Sequence, residues 1–164
     1  MGVRPRLAGL VAALAMLALD QGHKSWMLAS YGREPGHLET LGPYFDLVMA
    51  WNPGISYSLF SATTPAGRFV LLAATLAATA GLAVWLWFAA KPLLGLALGL
   101  LIGGALGNAW DRFSYGAVAD FFHFHIGLFS WYVFNLADCG IVIGVGLLLY
   151  DSFRGARSAS PAKS

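Results

Sequence analysis

Long apolar runs dominate the chain and are separated by shorter polar stretches. Phe69 to Ala90 contains 22 residues without a charged side chain, enough for a helix to cross a hydrocarbon core of about 30 Å. Leu93 to Trp110 and Tyr132 to Tyr150 each approach the roughly 20 residues that a spanning helix needs. The pattern therefore predicts three membrane-spanning helices in this part of the chain.

The first apolar run is shorter and is open to two interpretations. Leu7 to Leu19 follows Arg4 and Arg6, an arrangement that is also typical of a cleavable signal peptide. The next residues favour one continuous helix, because Asp20 would face Lys24 one turn later. We therefore predict an all-α integral membrane protein, with one domain over residues 1–155 and four transmembrane helices at about 7–28, 69–90, 93–110 and 132–150.

Two longer segments lie between the predicted helices. In the first, β-branched and aromatic residues mix with Gly, Pro and Asn turn signals, which favours a small extramembrane β-sheet at about 36–62. The second, 111–131, is predicted to be a loop on the same side of the membrane. The C-terminal residues 156–164 are small, polar and basic, and we expect them to be disordered.

The distribution of basic and aromatic residues predicts the orientation of the helices. One side carries most of the basic residues: Arg4, Arg6, Lys91, Arg154, Arg157 and Lys163. The other side carries fewer basic residues and a group of aromatic ones: Arg33, Arg68, Trp26, Trp110, Trp131 and Tyr132. Because cytoplasmic loops are enriched in Lys and Arg, both termini are predicted to be cytoplasmic, with the sheet on the outer, periplasmic side.

Composition narrows the class of protein further. Apolar residues make up 58% of the 164 residues and charged residues 11%, beyond the balance of ordinary soluble domains. The net charge of +2 comes without a basic stripe or a stacking motif, so we expect no nucleic-acid partner. Cys139 is the single cysteine, which excludes an internal disulfide.

Glycine recurs every four residues on the third predicted helix and again on the fourth. The positions are Gly95, Gly99, Gly103 and Gly107, then Gly140 and Gly144. Such ridges let helices approach closely, which suits either a contact between two copies of the chain or packing inside one bundle. Two ridges in one chain favour the bundle, and a monomer is predicted.

Polar residues collect at the outer ends of these helices, although the chain is poor in charge. They come from every outer segment: Asp20, Gln21, Lys24, Asn52, Asn108, Asp111, Arg112, Asp120, Asn135 and Asp138. Ionisable groups in spanning helices cost about 2.5 to 3.5 kcal/mol each on insertion scales, so they commonly mark function. Glu34 and Asp46 are interpreted as ordinary interfacial charges.

Asp120 and Asp138 are each embedded in apolar sequence, and the short connection between them returns both to one membrane face. We therefore predict that they meet. Two neighbouring carboxylates cannot both ionise cheaply, so the pair would hold one proton near neutral pH and supply one acid and one base. This is what activation of water against an amide requires.

Other chemistries fit the sequence less well. There is no HExxH zinc motif and no GxSxG elbow, and GGALGN lacks the Lys and the Ser or Thr of a phosphate loop. His123 and His125 place two imidazoles on one side of a strand, which is a weak indication of a metal. We predict no metal and no cofactor.

Four blocks of sequence carry most of these polar residues: DQGHK from Asp20, NPGISYSLF from Asn52, GGALGNAWDRFSYGAVADF from Gly103 and FNLADCGIVIG from Phe134. Together they resemble the motifs of the bacterial lipoprotein signal peptidases, also called signal peptidase II. The resemblance covers nearly the whole chain apart from the C-terminal tail. Two features depart from the family pattern, His23 in place of Ser or Thr and the residues 53–57 that follow Asn52.

The resemblance implies an aspartic endopeptidase of the bacterial inner membrane. Its substrates would be diacylglyceryl-modified prolipoproteins, cut just before the lipidated cysteine near the periplasmic face, and membrane lipids would be further partners. The implied catalytic residues are Asp120 and Asp138. The implied substrate-binding or site-supporting residues are Asp20, Lys24, Asn52, Gly54, Asn108, Asp111, Arg112 and Asn135.

Two other classes of protein remain as alternatives. A small proton-coupled transporter or channel subunit would use the same carboxylates as a proton relay, but it predicts inverted repeats and polar residues at mid-membrane. The sequence has no internal repeat, and its polar residues gather at one face. A purely structural membrane subunit would explain the glycine ridges and leave the two carboxylates without a role.

Overall fold

Four helices and four short strands make up residues 3–54 and 64–159, which the computed structural model describes. In chain order they are α1 (Val3–Tyr31), β1 (Gly36–Gly42), β2 (Phe45–Asn52), α2 (Pro65–Trp87), α3 (Pro92–Tyr115), β3 (Val118–Ile126), β4 (Phe129–Ser130) and α4 (Leu136–Ala159). Within these residues, α2, α3 and the Leu136–Arg154 part of α4 are long and apolar enough to cross a membrane. The four predicted helices are present, and three of them have the length and composition of membrane spans.

The ends of α1 and α2 differ from the predicted ones and have local causes. α1 runs unbroken past Asp20 and Lys24, as their spacing indicated, so the first apolar run is part of a longer helix. α2 begins at Pro65, before the apolar run starts, because the side chain of Thr64 caps it by accepting a hydrogen bond from Gly67 N at 3.1 Å. Proline at the first position of a helix strengthens this start.

α3 and α4 are longer than the sequence predicted. α3 continues to Tyr115, so Asp111 and Arg112 lie on its last turns and not in a loop. It ends at Gly116, whose φ of +78° is open to glycine at little cost. α4 extends to Ala159, so the start of the tail expected to be disordered is helical, while 160–164 lie outside the described residues.

The sheet is larger than predicted, because half of its strands come from the segment predicted to be a loop. The strands are antiparallel in the order β1-β2-β3-β4. Residues 36–52 supply β1 and β2 as expected, and residues 55–62 of the predicted sheet lie outside the described part of the chain. β2 pairs with β3 so that Ala50 lies opposite Asp120 and Asn52 opposite Val118. This register brings Asn52 beside Asp120.

The glycine ridge of α3 packs against α1 of the same chain. A Cβ at Gly95 would collide with Pro5 O, and one at Gly99 would collide with Gly9 O. The backbones of α1 and α3 are therefore as close as two helices can be without a side chain between them. The ridge serves packing within one bundle, which is the use that the sequence favoured.

Ion pairs join the helices at both ends of the bundle. At one end Lys91 Nζ lies 3.0 Å from Asp151 Oδ1, and the lysine side chain is 57% exposed. At the end next to the sheet, Lys24 Nζ lies 2.9 Å from Asp20 Oδ2 and 2.8 Å from Asp111 Oδ2. These three side chains are at most 2% exposed, so we call them the buried ion cluster.

Gly99→Ala is predicted to destabilise the protein, although alanine favours a helix by about 1 kcal/mol over glycine. The added methyl group must displace the backbone of α1 at Gly9, and overpacking of this kind costs about 1 to 3 kcal/mol. Gly81→Ala on α2 is the matched control, since a Cβ there meets nothing within 4 Å. The free energy of unfolding of both variants is measured in mixed detergent micelles. Equal effects of the two substitutions would contradict the packing argument.

Lys24→Met is predicted to lower the free energy of unfolding by about 3 to 5 kcal/mol, because it leaves two buried carboxylates without their cation. Lys91→Met removes an exposed pair and should cost less than about 1 kcal/mol. The same unfolding titration compares the two variants. If both variants lost the same free energy of unfolding, burial would not be the reason why the buried ion cluster stabilises the protein.

Candidate active site

The buried ion cluster also holds the backbone at two points. Ala137 N donates a hydrogen bond to Asp20 Oδ1 at 2.9 Å, and Ala119 N donates one to Asp111 Oδ2 at 3.1 Å. Each of these alanines immediately precedes one of the two aspartates predicted to be catalytic. Lys24 therefore links, through two carboxylates, the strand and the helix that carry the catalytic candidates.

Gln21 completes the cluster; the sequence analysis counted it among the polar residues at the outer helix ends but not among the implied site residues. Its Nε2 donates to Asp20 Oδ2 at 3.1 Å, to Asp111 Oδ1 at 3.0 Å and to Gly107 O at 3.2 Å. The amide thus bridges α1 and α3. Its place directly after Asp20 in the first motif block is the signal that could have identified it.

Two asparagines connect the cluster to the catalytic candidates. Lys24 Nζ donates to Asn108 Oδ1 at 3.1 Å, and Asn108 Nδ2 donates to Asp138 Oδ1 at 2.9 Å. Asn135 Nδ2 donates to the same Asn108 oxygen at 3.1 Å and to Asp120 Oδ1 at 2.6 Å. One amide network therefore reaches both carboxylates and fixes how each is turned.

The start of α4 orients Asp138. Asn135 precedes the first helical residue, Leu136, and its Oδ1 accepts a hydrogen bond from Asp138 N at 3.0 Å. In return Asp138 Oδ2 accepts one from Asn135 N at 3.2 Å. This reciprocal pair has the geometry of a capping box, and a carboxylate in the first turn of a helix is stabilised in its ionised form.

Asp120 lies in a different environment, on strand β3. Asn52 Nδ2 donates a hydrogen bond to Asp120 Oδ2 at 3.2 Å. The Asp120 residue is only 2% exposed. The pKa of Asp120 is raised to about 7, mainly by burial and further by the adjacent Asp138 carboxylate. The amides of Asn52 and Asn135 and the charge of Lys24 lower this pKa but do not cancel the increase. The buried position of Asp120 therefore favours its protonated form.

Arg112 joins the site to the segment after β2. Its Nη2 donates to Gly54 O at 2.8 Å and its Nη1 to Asn108 O at 3.3 Å, while Gly54 N donates to Asn52 Oδ1 at 3.1 Å. Its Nε is buried and has no hydrogen-bond partner within the described residues. Arg112 therefore links α3 to the segment that carries Asn52 and Gly54.

Both aspartates face a cavity of about 530 Å³ between α2, α3, α4 and the sheet. Its polar end is formed by Asn52, Gly54, Asn108, Arg112, Asp120 and Asp138. Its apolar wall includes Leu71, Ala74, Ala78, Ile141 and Val142. The other predicted site residues, Asp20, Lys24, Asp111 and Asn135, do not line the cavity and lie in the networks behind it.

Two further residues of the cavity wall, Thr75 and Tyr132, are absent from the predicted site. Thr75 Oγ1 donates to Leu71 O at 2.8 Å within α2, so its hydroxyl is turned to its own helix. Nothing in the apolar run around Thr75 distinguishes it. Tyr132 was predicted in an interfacial belt, and its place in the wall depends on the path of the chain between β4 and α4.

The arrangement can supply an acid and a base to one small molecule. Asp120 and Asp138 face one cavity from two elements, share Asn135 as a hydrogen-bond partner, and differ in the environments that set their charge. A carboxylic acid beside a carboxylate can position a water molecule and move protons in both directions. The apolar wall next to the pair suits a substrate with a lipid-like part.

Comparisons with known proteins agree on one family. The model of the family described as Signal peptidase (SPase) II matches residues 12–154. A relative from Methylocella silvestris named lipoprotein signal peptidase is 57% identical over 94% of this chain and 91% of its own length. One of the same name from Beijerinckia indica is 52% identical over 96% and 95%.

The fold is also found in solved structures. A protein described as a bacterial membrane enzyme superposes with a TM-score of 0.81, at 22% identity, over 95% of this chain and 93% of that one. At this identity the likeness concerns the fold alone, and it agrees with a multi-pass integral membrane protein. The family model and the relatives carry the assignment, and by both the chain belongs to the signal peptidase II family, the lipoprotein signal peptidases.

Proposed function

We propose that this chain is an aspartic endopeptidase that removes the signal peptide from diacylglyceryl-modified prolipoproteins, cutting just before the lipidated cysteine. The observation that carries the aspartic mechanism is the pair Asp120 and Asp138 at the polar end of one cavity, each held by Asn135. Family membership supports a peptidase, and the name of the relatives supports the lipoprotein substrate. No comparable observation favours a proton-coupled transporter.

The mechanism follows from the unequal environments of the two carboxyl groups. In this mechanism the pair holds one proton at rest, which the buried position of Asp120 favours on that residue, and Asp138 acts as the base. Asp138 removes a proton from a water molecule held between them, and the water oxygen attacks the scissile carbonyl carbon to form a tetrahedral intermediate. Asp120 polarises the carbonyl by donating its proton, and the departing amine takes a proton from the pair as the carbon–nitrogen bond breaks.

The supporting residues position the substrate relative to the catalytic dyad, Asp120 and Asp138. Arg112 and Asn52 line the polar end of the cavity, where their side chains would orient the peptide backbone. Asp20, Lys24, Asp111 and Asn108 act behind the dyad by fixing its backbone and side chains. The apolar wall of the cavity would contact the lipid chains of the substrate, which would enter laterally from the membrane.

The proposed setting is the bacterial inner membrane, with α1 as a fourth spanning helix and the chain acting as a monomer. Arg6 Nε donates to Trp87 O at 2.8 Å and Lys91 pairs with Asp151, so basic residues gather at the end of the bundle away from the sheet. That end is proposed to face the cytoplasm with both termini. Trp110 and Trp131 are exposed near the sheet, which suits a periplasmic interface and an active site close to it.

Asp120→Asn and Asp138→Asn are each predicted to lower the cleavage rate at least about 1,000-fold, because neither variant can supply both an acid and a base. The assay is cleavage of a diacylglyceryl-modified prolipoprotein by purified protein in detergent. Asp151→Asn, at the far end of the bundle, should cleave at the wild-type rate. A chelator should leave the rate unchanged. Wild-type cleavage by either folded dyad variant would overturn the assignment.

The rate is predicted to fall as pH rises through about 7, the pKa of Asp120, and to approach a loss of about tenfold per pH unit. A raised carboxyl pKa means that the folded state binds more protons than the unfolded one. The free energy of unfolding should therefore also decline between pH 3.8 and about 7. This part of the decline should be absent in Asp120→Asn. Rates and unfolding curves across this range test both effects, and a flat rate profile would contradict them.

A further inference from the structure

A group of imidazoles surrounds one carboxylate on the sheet, away from the candidate active site. Asp46 on β2 lies opposite His123 on β3, and His125 follows on the same strand. One ligand atom from each of these residues lies within 4.8 Å of the ligand atoms of the other two. In the sequence alone, only the pair His123 and His125 indicated a metal, and weakly. The pairing of β2 with β3 places the Asp46 carboxylate beside them.

The distances suit a single small ion. His125 Nε2 lies 3.0 Å from Asp46 Oδ2, and His123 Nδ1 lies 3.8 Å from the same oxygen. Bonds from zinc to nitrogen and oxygen are about 2.0 to 2.2 Å long, so donors that share an ion lie between about 3 and 4 Å apart. Small side-chain rotations are enough to bring the three donors around one centre.

The hydrogen bond of the His123 imidazole leaves its inward nitrogen available. His123 Nε2 lies 2.8 Å from Ser130 Oγ, and when it donates this bond Nδ1 carries a lone pair directed toward Asp46. A metal-binding histidine commonly has its second nitrogen fixed in this way. His125 Nε2 is buried and faces Asp46 Oδ2 at 3.0 Å. A bound cation would take the place of a proton between these nitrogens and the carboxylate.

Asp46 lies between the imidazoles and is partly open to solvent. Its side chain is 16% exposed and that of His125 30%, which leaves room for water on the open side. His37 Nε2, 3.8 Å from Asp46 Oδ1, stands at the rim of the group.

We propose that Asp46, His123 and His125 bind a divalent transition-metal ion of the zinc class, with water in the remaining coordination positions. Imidazole and carboxylate together favour Zn²⁺, Ni²⁺ or Cu²⁺ over the hard ions Ca²⁺ and Mg²⁺. The bound ion ties β2 to β3, the strand that carries Asp120. The inference is independent of the proposed peptidase function, since no step of cleavage passes through the ion.

Metal binding is measured directly on the full chain in detergent, after removal of any affinity tag and treatment with a chelator. Calorimetric titration with Zn²⁺ should give one ion per chain, and Co²⁺ should give visible absorption bands of a low-coordinate nitrogen and oxygen site. Asp46→Asn, His123→Ala and His125→Ala should each weaken affinity at least about 10-fold. Zn²⁺ should raise the melting temperature of the wild type and not of Asp46→Asn.

His23→Ala is the matched control, because His23 is the remaining histidine of the four and lies on α1, outside the group. This variant and Cys139→Ala should bind like the wild type. Absence of saturable binding would overturn the proposal and leave the group as histidine–aspartate ion pairs. Binding that survives Asp46→Asn but is lost in either control would also overturn it. Prolipoprotein cleavage is assayed separately from metal binding. The peptidase proposal and the metal-site proposal can therefore fail independently of each other.

Discussion

The position of Lys24 constrains the rest of the structure. A lysine that is 2% exposed cannot remain charged without partners, and breaking a buried ion pair typically costs several kcal/mol. Asp20 and Asp111 bind its ammonium group from both sides, and the same two carboxylates accept hydrogen bonds from the backbone: Asp20 from Ala137 N and Asp111 from Ala119 N. Satisfying one buried cation therefore brings α1, α3, β3 and the start of α4 to one place.

This arrangement accounts for the unequal character of the two catalytic candidates. Asp138 is held by the first turn of a helix and by Asn108, both of which favour an ionised carboxylate. Asp120 is held on a strand inside an apolar region, where its pKa rises to about 7. The two carboxyl groups thus differ in the surroundings that set their charge, which is what the proposed division into acid and base requires. The asparagine at position 135 contacts both and keeps the two environments in a fixed relation.

The sequence was sufficient for the helices and for the identity of the polar residues, because long apolar runs and polar interruptions are local signals. The Asp20–Lys24 pair was also predictable, since it depends on a spacing of one helical turn. Asp111 as the second partner of Lys24 was not, because it lies on another helix whose end is set by Gly116. The strands after α3 were missed for the same reason: β3 is stabilised by pairing with β2, a contact between residues far apart in the chain.

Close helix packing and the buried ion cluster depend on each other. In a lipid environment helices gain little from burying apolar side chains, so association depends on short backbone distances and polar contacts. The glycine ridge provides the first, and its last member, Gly107, lies against the carboxylate of Asp20, where a Cβ would collide with Oδ2. A side chain at this position would separate α1 from α3 and admit water to the cluster. The repeated glycines therefore have a chemical consequence, since they bring Asp20 within reach of Ala137 N and so fix the helix turn that orients Asp138.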